Sequence, residues 1–173
     1  MELTVKDSNW AKEVIRQSDF FDTLTEQELA QLVEGFEKRH YTKGTIIIFQ
    51  GEISNKLFII QSGKVSVNVR RRKQVTKVAE LVPTDLFGEI SLLTPRSATA
   101  TVKVEEDSDI IILAGDVFRG IVKNNPALDE KIRKKIDERL KMHDQLENPE
   151  QAIFSAILPK ETPRHKLDEE DED

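Results

Sequence analysis

The sequence predicts a mainly β protein with flanking α-helices: a β jelly-roll barrel with short N-terminal helices and C-terminal helices. At least six short runs rich in β-branched residues follow one another between residues 41 and 114, and turn residues separate them. Such runs are typical of an all-β sandwich or barrel. Helical periodicity occurs only before and after this block. We expect one domain over residues 1–146, with N-terminal helices over 10–36, the barrel over 41–114, C-terminal helices over 116–146, and a tail over 147–173.

The composition indicates a soluble, globular and cytoplasmic protein. The chain has 173 residues, of which 34% are charged and 38% hydrophobic, and it contains no cysteine. No run approaches the roughly 18 consecutive apolar residues of a membrane span. The N-terminus lacks a signal-peptide pattern. The formal charge of −6 argues against a general nucleic-acid binder.

Two short helices are predicted before the barrel. The first covers residues 10–17 and places Trp10 and Val14 on one face. Thr25, followed three residues later by Glu28, forms a capping-box pattern that begins the second helix. The apolar residues of this second helix recur at helical spacing: Leu29, Leu32, Val33 and Phe36. We therefore expect it to pack on the elements that follow.

Glycines divide the central block into the predicted strands. These strands cover residues 46–49, 57–60, 65–69, 75–81, 98–104 and 110–113. Four consecutive basic residues, 70–73, lie between two of the runs and are predicted to form a hairpin tip. This tip either attracts a phosphate or an acidic partner, or is simply a solvated turn, which is the simpler interpretation.

The residues after the barrel predict two helices and a tail. A short helix is predicted over 116–122, and Asn125 and Pro126 supply the N-cap and first position of a longer one. Its apolar residues form a single stripe: Leu128, Ile132, Ile136 and Leu140. The helix could pack on the barrel, pair with a second copy, or close over a ligand. In the tail, residues 151–158 are apolar, and the acidic run 168–173 is expected to be disordered.

Residues 87–102 contain the parts of a ribose-phosphate site. Glu89 follows Gly88, and Arg96 is followed by small residues. A carboxylate can accept a hydrogen bond from a ribose hydroxyl, and a guanidinium matches the oxygens of a phosphate. Glycine and small residues let backbone N–H groups approach an anion closely.

Residues 87–93 and 95–99 resemble the phosphate-binding cassette of cyclic nucleotide-binding domains. This family includes the catabolite activator protein, the regulatory subunit of the cyclic-AMP-dependent kinase and nucleotide-gated channels. The resemblance implies that Glu89 accepts a hydrogen bond from the ribose 2′-hydroxyl and that Arg96 binds the cyclic phosphate. It also implies that the backbone amides of Gly88, Ser97 and Ala98 complete the site. The candidate nucleotide-binding residues are Phe87, Gly88, Glu89, Ile90, Ser91, Arg96, Ser97 and Ala98.

The cassette departs from the family pattern at one point. Glu89 and Arg96 are seven positions apart, because two residues that the family usually places before Pro95 are missing. The resemblance implies a stand-alone sensor that binds cyclic AMP in preference to cyclic GMP and acts on a protein partner in trans. In the family, the residue at Ser97 can reach a guanine amino group, and a serine fixes that hydroxyl less firmly than a threonine. The alternative is a degenerate fold that serves as a protein-interaction domain without nucleotide.

Other functions gain little support from the sequence. Neither catalytic residues nor a metal site is expected, because His40, His143 and His165 are far apart in the sequence and lack metal-ligand spacing. DNA-binding members of the family carry a helix-turn-helix domain after the long helix, and the acidic residues after 146 do not resemble one. The resemblance also implies a homodimer contact through the helix over 126–146.

Overall fold

The protein is described by a computed structural model that covers residues 1–92 and 95–144, without the side chains of 142–144. Within these residues, four α-helices flank eight β-strands. The first elements are α1 (Val5–Gln17), α2 (Glu26–Glu34), β1 (Phe36–Tyr41), β2 (Ile46–Ile48), β3 (Ile53–Ser54) and β4 (Lys56–Arg71). The others are β5 (Gln74–Leu81), β6 (Leu86–Phe87), β7 (Arg96–Ser97), β8 (Thr101–Ala114), α3 (Gly115–Lys123) and α4 (Pro126–Asp144). This arrangement confirms the predicted fold, and the predicted tail lies outside the described residues.

The strands pair in an antiparallel manner around the two longest, β4 and β8. The main sheet has the order β1–β8–β4–β5, with β2 also on β8 and β6 also on β4, while β3 and β7 form a separate pair. The β4–β8 register shifts at several places between Ile60 and Val65, so both strands can bend there. Gly63 lies in this region with a φ of 89°, and a Cβ there would be 2.1 Å from Oγ of Ser108.

The sheet buries both of its faces in the middle of β4 and β8. In β4, Phe58 and Ile60 point into the barrel interior, whereas Leu57 and Ile59 contact the cluster that contains the helices. Residues 110–113 of β8 divide between the two clusters in the same alternating way. This explains why the sequence shows continuous apolar runs here instead of an alternation of apolar and polar residues.

The N-terminal helices differ slightly from the prediction. Helix α1 begins at Val5, before the predicted residue 10, because Thr4 and Asp7 form a capping box. The capping box at Thr25 and Glu28 forms as predicted. Phe36, expected on the second helix, is instead the first residue of β1 and pairs with Leu113. It remains buried, which is why its apolar character fitted the helical pattern as well.

Helix α4 packs on the domain and is held to the N-terminal segment by three ion pairs. Leu128, Ile132 and Ile136 are buried against the helical core cluster. Three basic residues spaced one turn apart bind three acidic residues: Lys131 with Glu28 at 2.7 Å, Lys135 with Asp22 at 2.8 Å and Arg139 with Asp19 at 3.0 Å. A homodimer contact through this helix stays a prediction.

Candidate functional site

A cavity of about 170 Å³ opens between the barrel and the last described turns of α4. All eight residues predicted as nucleotide-binding line it. The other residues that line the cavity are Ile48, Ser54, Val67, Thr99, Ala100, Val102 and Leu140. Most of these are apolar, so the cavity has a largely apolar lining beside the cassette.

Gly88 allows the chain to turn from β6 into the cavity. It has a φ of 88°, and a Cβ there would be 2.2 Å from the carbonyl oxygen of Lys56. No other residue type satisfies both the dihedral angle and the space. A 3-10 turn over Glu89–Ser91 follows, and Oγ of Ser91 donates to the carbonyl of Gly88 at 2.8 Å. Phe87, before the turn, stacks on Phe58 with ring centroids 4.7 Å apart.

Glu89 is buried and bound to Arg139. Its carboxylate is 1% exposed and accepts a hydrogen bond from Nη1 of Arg139 at 2.9 Å. The guanidinium of Arg139 also donates to Asp19 at 3.0 Å and lies 5.5 Å from the ring centre of Phe20. Burial raises the pKa of Glu89 to about 7; Arg139 opposes this increase, and the negative charge of Asp19 adds to it.

Arg96 and Ser97 reach the cavity from β7. The guanidinium of Arg96 is exposed and makes no hydrogen bond or ion pair with a described residue. Ser97 pairs with Ile53 of β3, and its Oγ donates to the carbonyl of Gly51 at 3.2 Å.

The backbone of this strand distinguishes Ala98 from Ser97. The N–H of Ala98 donates to the carbonyl of Glu52 at 2.8 Å, so it is already engaged in this structure. Because N–H groups alternate in direction along an antiparallel strand, the N–H of Ser97 points away from β3. Ser97, and not Ala98, therefore has the amide suited to bind an anion.

The arrangement can hold a molecule with a sugar and an anionic group. A carboxylate and a guanidinium without a described partner both line the largely apolar cavity. In the described part of the chain, no group of three or more histidine, acidic or cysteine side chains could hold a metal ion. None of the described helices is long and apolar enough to cross a membrane.

Two residues of α4 belong to the site and were not among the sequence candidates. Leu140 belonged to the predicted apolar stripe of α4, which suggested a lid but did not place it in the cavity. Arg139 gave no signal, because it is one of many charged residues on the helix and its contact with Glu89 spans fifty positions.

The comparisons with known proteins agree with this geometry. Residues 38–125 match the profile described as the cyclic nucleotide-binding domain. The chain is 33% identical over 132 residues to a cGMP-dependent protein kinase of Eimeria tenella, covering 76% of this chain and 12% of the kinase. It is 27% identical over 131 residues to the cyclic AMP receptor protein of Thermus thermophilus, covering 75% of this chain and 61% of the receptor.

A solved structure supports the same relationship. The regulatory domain of Toxoplasma gondii PKA, crystallised with cAMP, superposes with a TM-score of 0.64 at 27% identity. The match covers 83% of this chain and 51% of that one. This chain therefore spans only part of each of these relatives. The profile match covers half of the chain, and the chain belongs to the cyclic nucleotide-binding domain family, related to the cyclic AMP receptor protein and the PKA regulatory subunits.

Proposed function

We propose that this domain binds cyclic AMP in preference to cyclic GMP and passes the signal to a protein partner in trans without catalysing a reaction. The observation that carries the proposal is the position of Glu89 and Arg96 at one apolar cavity. The relatives include a cyclic AMP receptor protein, a PKA regulatory domain bound to cAMP and a cGMP-dependent protein kinase, so their names support binding of a cyclic nucleotide but not the choice between the two.

In the proposed complex, the ribose 2′-hydroxyl donates to Glu89 and the cyclic phosphate accepts from Arg96. The N–H of Ser97 adds a hydrogen bond to the phosphate, as its direction allows. Ala98 contributes its methyl group to the apolar wall, because its amide is bound to Glu52. Gly88 lets the sugar approach the backbone closely.

The preference for cyclic AMP rests on the lining around the base. Ile48, Val67, Val102 and Leu140 present apolar groups to the cavity. Guanine carries both a carbonyl oxygen and an exocyclic amino group, and each costs free energy when it is buried without a partner. The hydroxyl of Ser97 can accept from the amino group while it donates to Gly51, but it cannot donate to the carbonyl at the same time.

The signal would leave the site through α4. Arg139 connects Glu89 in the cassette to Asp19 in the N-terminal segment. A ribose hydroxyl competes with Arg139 for the carboxylate of Glu89, so ligand binding alters the contact that fixes the end of α4. A partner that contacts α4 or the N-terminal segment would detect this change.

The contact between Glu89 and Arg139 also favours a second function. If Arg139 satisfies Glu89 permanently, the domain keeps its fold and acts as a protein-interaction domain without nucleotide. The shortened cassette, with seven positions from Glu89 to Arg96, is consistent with this alternative.

Isothermal titration calorimetry with cyclic AMP and cyclic GMP tests the proposal, with noncyclic 5′-AMP as the control ligand. We expect saturable heat with both cyclic nucleotides, tighter binding of cyclic AMP, and much weaker binding of 5′-AMP. Absence of heat for both cyclic nucleotides at millimolar concentration would rule the proposal out. In that case, an affinity purification whose partners do not change with nucleotide would support the interaction domain.

A further inference from the structure

A second concave surface lies on the outer face of the sheet, opposite the barrel interior. It is a groove of about 820 Å³ across β2, β8, β4 and β5, which we call the outer groove. Its residues are Ile46, Phe49, Gln50, Gly51, Asn68, Arg70, Arg72, Val75, Thr101, Lys103 and Glu105. In β4, Val67 and Val69 point into the barrel, so Asn68 and Arg70 point outward into the groove.

The outer groove is positively charged. Arg70, Arg72 and Lys103 are exposed, and none of them forms an ion pair with a described residue. The groove contains one acidic residue, Glu105, and neighbouring groups already stabilise its negative charge. Its pKa is lowered, first by the hydrogen bond from Ser66 and further by three lysines, including Lys103. The groove therefore carries three basic side chains against one acidic side chain, an excess of positive charge.

Two exposed apolar side chains lie beside the basic residues of the outer groove, and hydrogen bonds hold one edge of the groove in place. Phe49 is 56% exposed and Val75 is 55% exposed. Apolar walls of this kind lower the local dielectric constant and strengthen an ion pair formed beside them. The edge is held by Gln50, whose side-chain amide accepts from the N–H of Arg70 at 2.7 Å and donates to its carbonyl at 3.1 Å.

The hairpin tip adds a further observation. Arg71 pairs with Gln74, so the turn consists of Arg72 and Lys73; the sequence predicted a tip over 70–73, but Arg70 and Arg71 belong to β4. Arg72 has a φ of 56°, in the region where glycine or asparagine is normally preferred. Arg72 therefore holds a backbone conformation that few non-glycine residues adopt, and its side chain lines the outer groove.

The sequence itself contains a segment of the opposite charge. Residues 168–173 are six consecutive acidic residues, and they account for the whole formal charge of −6, so the remainder of the chain is electrically balanced. The 24 positions from Asp144 to Asp168 can span up to about 80 Å when extended. A domain of this size is only about 40 Å across, so the acidic residues can reach any part of its surface.

We propose that the acidic segment 168–173 binds in the outer groove of its own chain, with its carboxylates paired to Arg70, Arg72 and Lys103. Six adjacent negative charges repel one another and oppose folding of the segment alone, and the basic groove relieves that repulsion. The segment then covers Phe49 and Val75 and competes with any acidic partner for this face.

Zero-length crosslinking of the full chain tests this proposal. A carbodiimide joins a carboxylate to a lysine amine in an amide bond with loss of water, so it records direct ion pairs. At low salt we expect mass spectrometry to find Lys103 linked to residues within 168–173. The yield should fall strongly in 0.5 M salt, because the Debye length decreases to about 4 Å. The double variant R70Q/R72Q keeps Lys103 and should reduce the yield about twofold or more.

Two controls make the result decisive. The variant R119Q/K123Q removes the same charge from exposed positions on α3 and should leave the yield unchanged. Mixing isotopically labelled and unlabelled chains distinguishes links within one chain from links between two. The proposal is overturned if Lys103 is not linked, if R70Q/R72Q and R119Q/K123Q give equal yields, or if the links join different chains.

Discussion

Nη1 of Arg139 on α4 donates to Oε1 of Glu89 in the cassette over 2.9 Å, and the two side chains are only 10% and 1% exposed. The contact joins a residue that the sequence assigned to ligand binding with one that it did not single out. Because both groups are buried, neither can replace its partner with bulk water.

Replacing Arg139 with methionine should destabilise the domain by about 3 kcal/mol, because it leaves a buried carboxylate without its partner. Urea denaturation measures this loss as a lower midpoint. The double variant E89Q/R139M should recover part of the stability, since the remaining amide is uncharged. Arg133, 62% exposed on the same helix, is the matched control, and R133M should change stability by less than about 0.5 kcal/mol. Equal losses in R139M and R133M would contradict the prediction.

Stability should decrease as the pH rises towards neutrality, because of Glu89. Its pKa is raised to about 7 in the folded protein, so the folded state binds the proton more tightly than the unfolded chain does. The contribution of Glu89 is therefore fully present below the pKa of an ordinary glutamate and is lost as the pH rises through about 7. Between pH 5 and pH 8, the wild type should lose at least about 1 kcal/mol more than E89Q. The same pH profile for both proteins would show that Glu89 does not titrate in this range.

Cyclic AMP affinity should increase over the pH range in which Glu89 loses its proton. A hydroxyl donates a stronger hydrogen bond to a carboxylate than to a carboxylic acid. Binding should then release a proton, and affinity should rise by up to about tenfold between pH 6 and pH 8. Calorimetry in two buffers with different ionisation enthalpies measures the released proton. The E89Q variant should show a flat profile; an unchanged slope in E89Q would assign the effect to another group.

Arg96→Ala should weaken cyclic AMP binding at least about tenfold, because a charge-assisted contact is worth about 1.5–3 kcal/mol. Arg96→Lys should also lose affinity, since an ammonium cannot reproduce the planar fork of a guanidinium. Arg119→Ala, an exposed position on α3, is the control and should bind like the wild type. Wild-type affinity in Arg96→Ala would mean that the shortened cassette directs this side chain away from the phosphate.

Gly88→Ala should cost at least about 2 kcal/mol in stability and abolish nucleotide binding, because the position combines a left-handed backbone with a close carbonyl. A Cβ at Gly88 would lie 2.2 Å from the oxygen of Lys56, whereas a Cβ at Gly120 of α3 would have no atom within 4 Å. Gly120→Ala is thus the matched control and should be neutral or stabilising by up to about 1 kcal/mol. Thermal unfolding of both variants makes the comparison, and similar melting temperatures would count against the steric argument.

The sequence predicted the parts of the molecule that depend on local pattern. The barrel, the capping box at Thr25 and the hairpin tip each follow from residues close together in the chain. The cassette residues all lie between positions 87 and 98, so their grouping at one cavity could also be predicted. The contact of Glu89 with Arg139 could not, because it depends on how α4 docks against the turn that carries Glu89.

Two further differences have physical reasons. Phe36 is buried in β1, and a buried position at the end of a helix has the same apolar signature. The engagement of the Ala98 amide depends on the pairing of β7 with β3, two short strands whose partner choice has no sequence signal. For Phe36 the sequence pattern correctly indicated burial, and for Ala98 it correctly indicated a small residue. In neither case did it determine the hydrogen-bond partner.

The apolar runs of β4 and β8, buried on both faces, have a consequence for how the protein is made. Leu57, Ile59, Ile111 and Leu113 form a surface that the helices cover. During synthesis α4 emerges after both strands, so this surface stays partly open until Leu128, Ile132 and Ile136 arrive. Exposed β-branched runs of this kind promote aggregation. We therefore expect α4 to protect the nascent chain from aggregation, and mutations that loosen it to lower the soluble yield before they affect ligand binding.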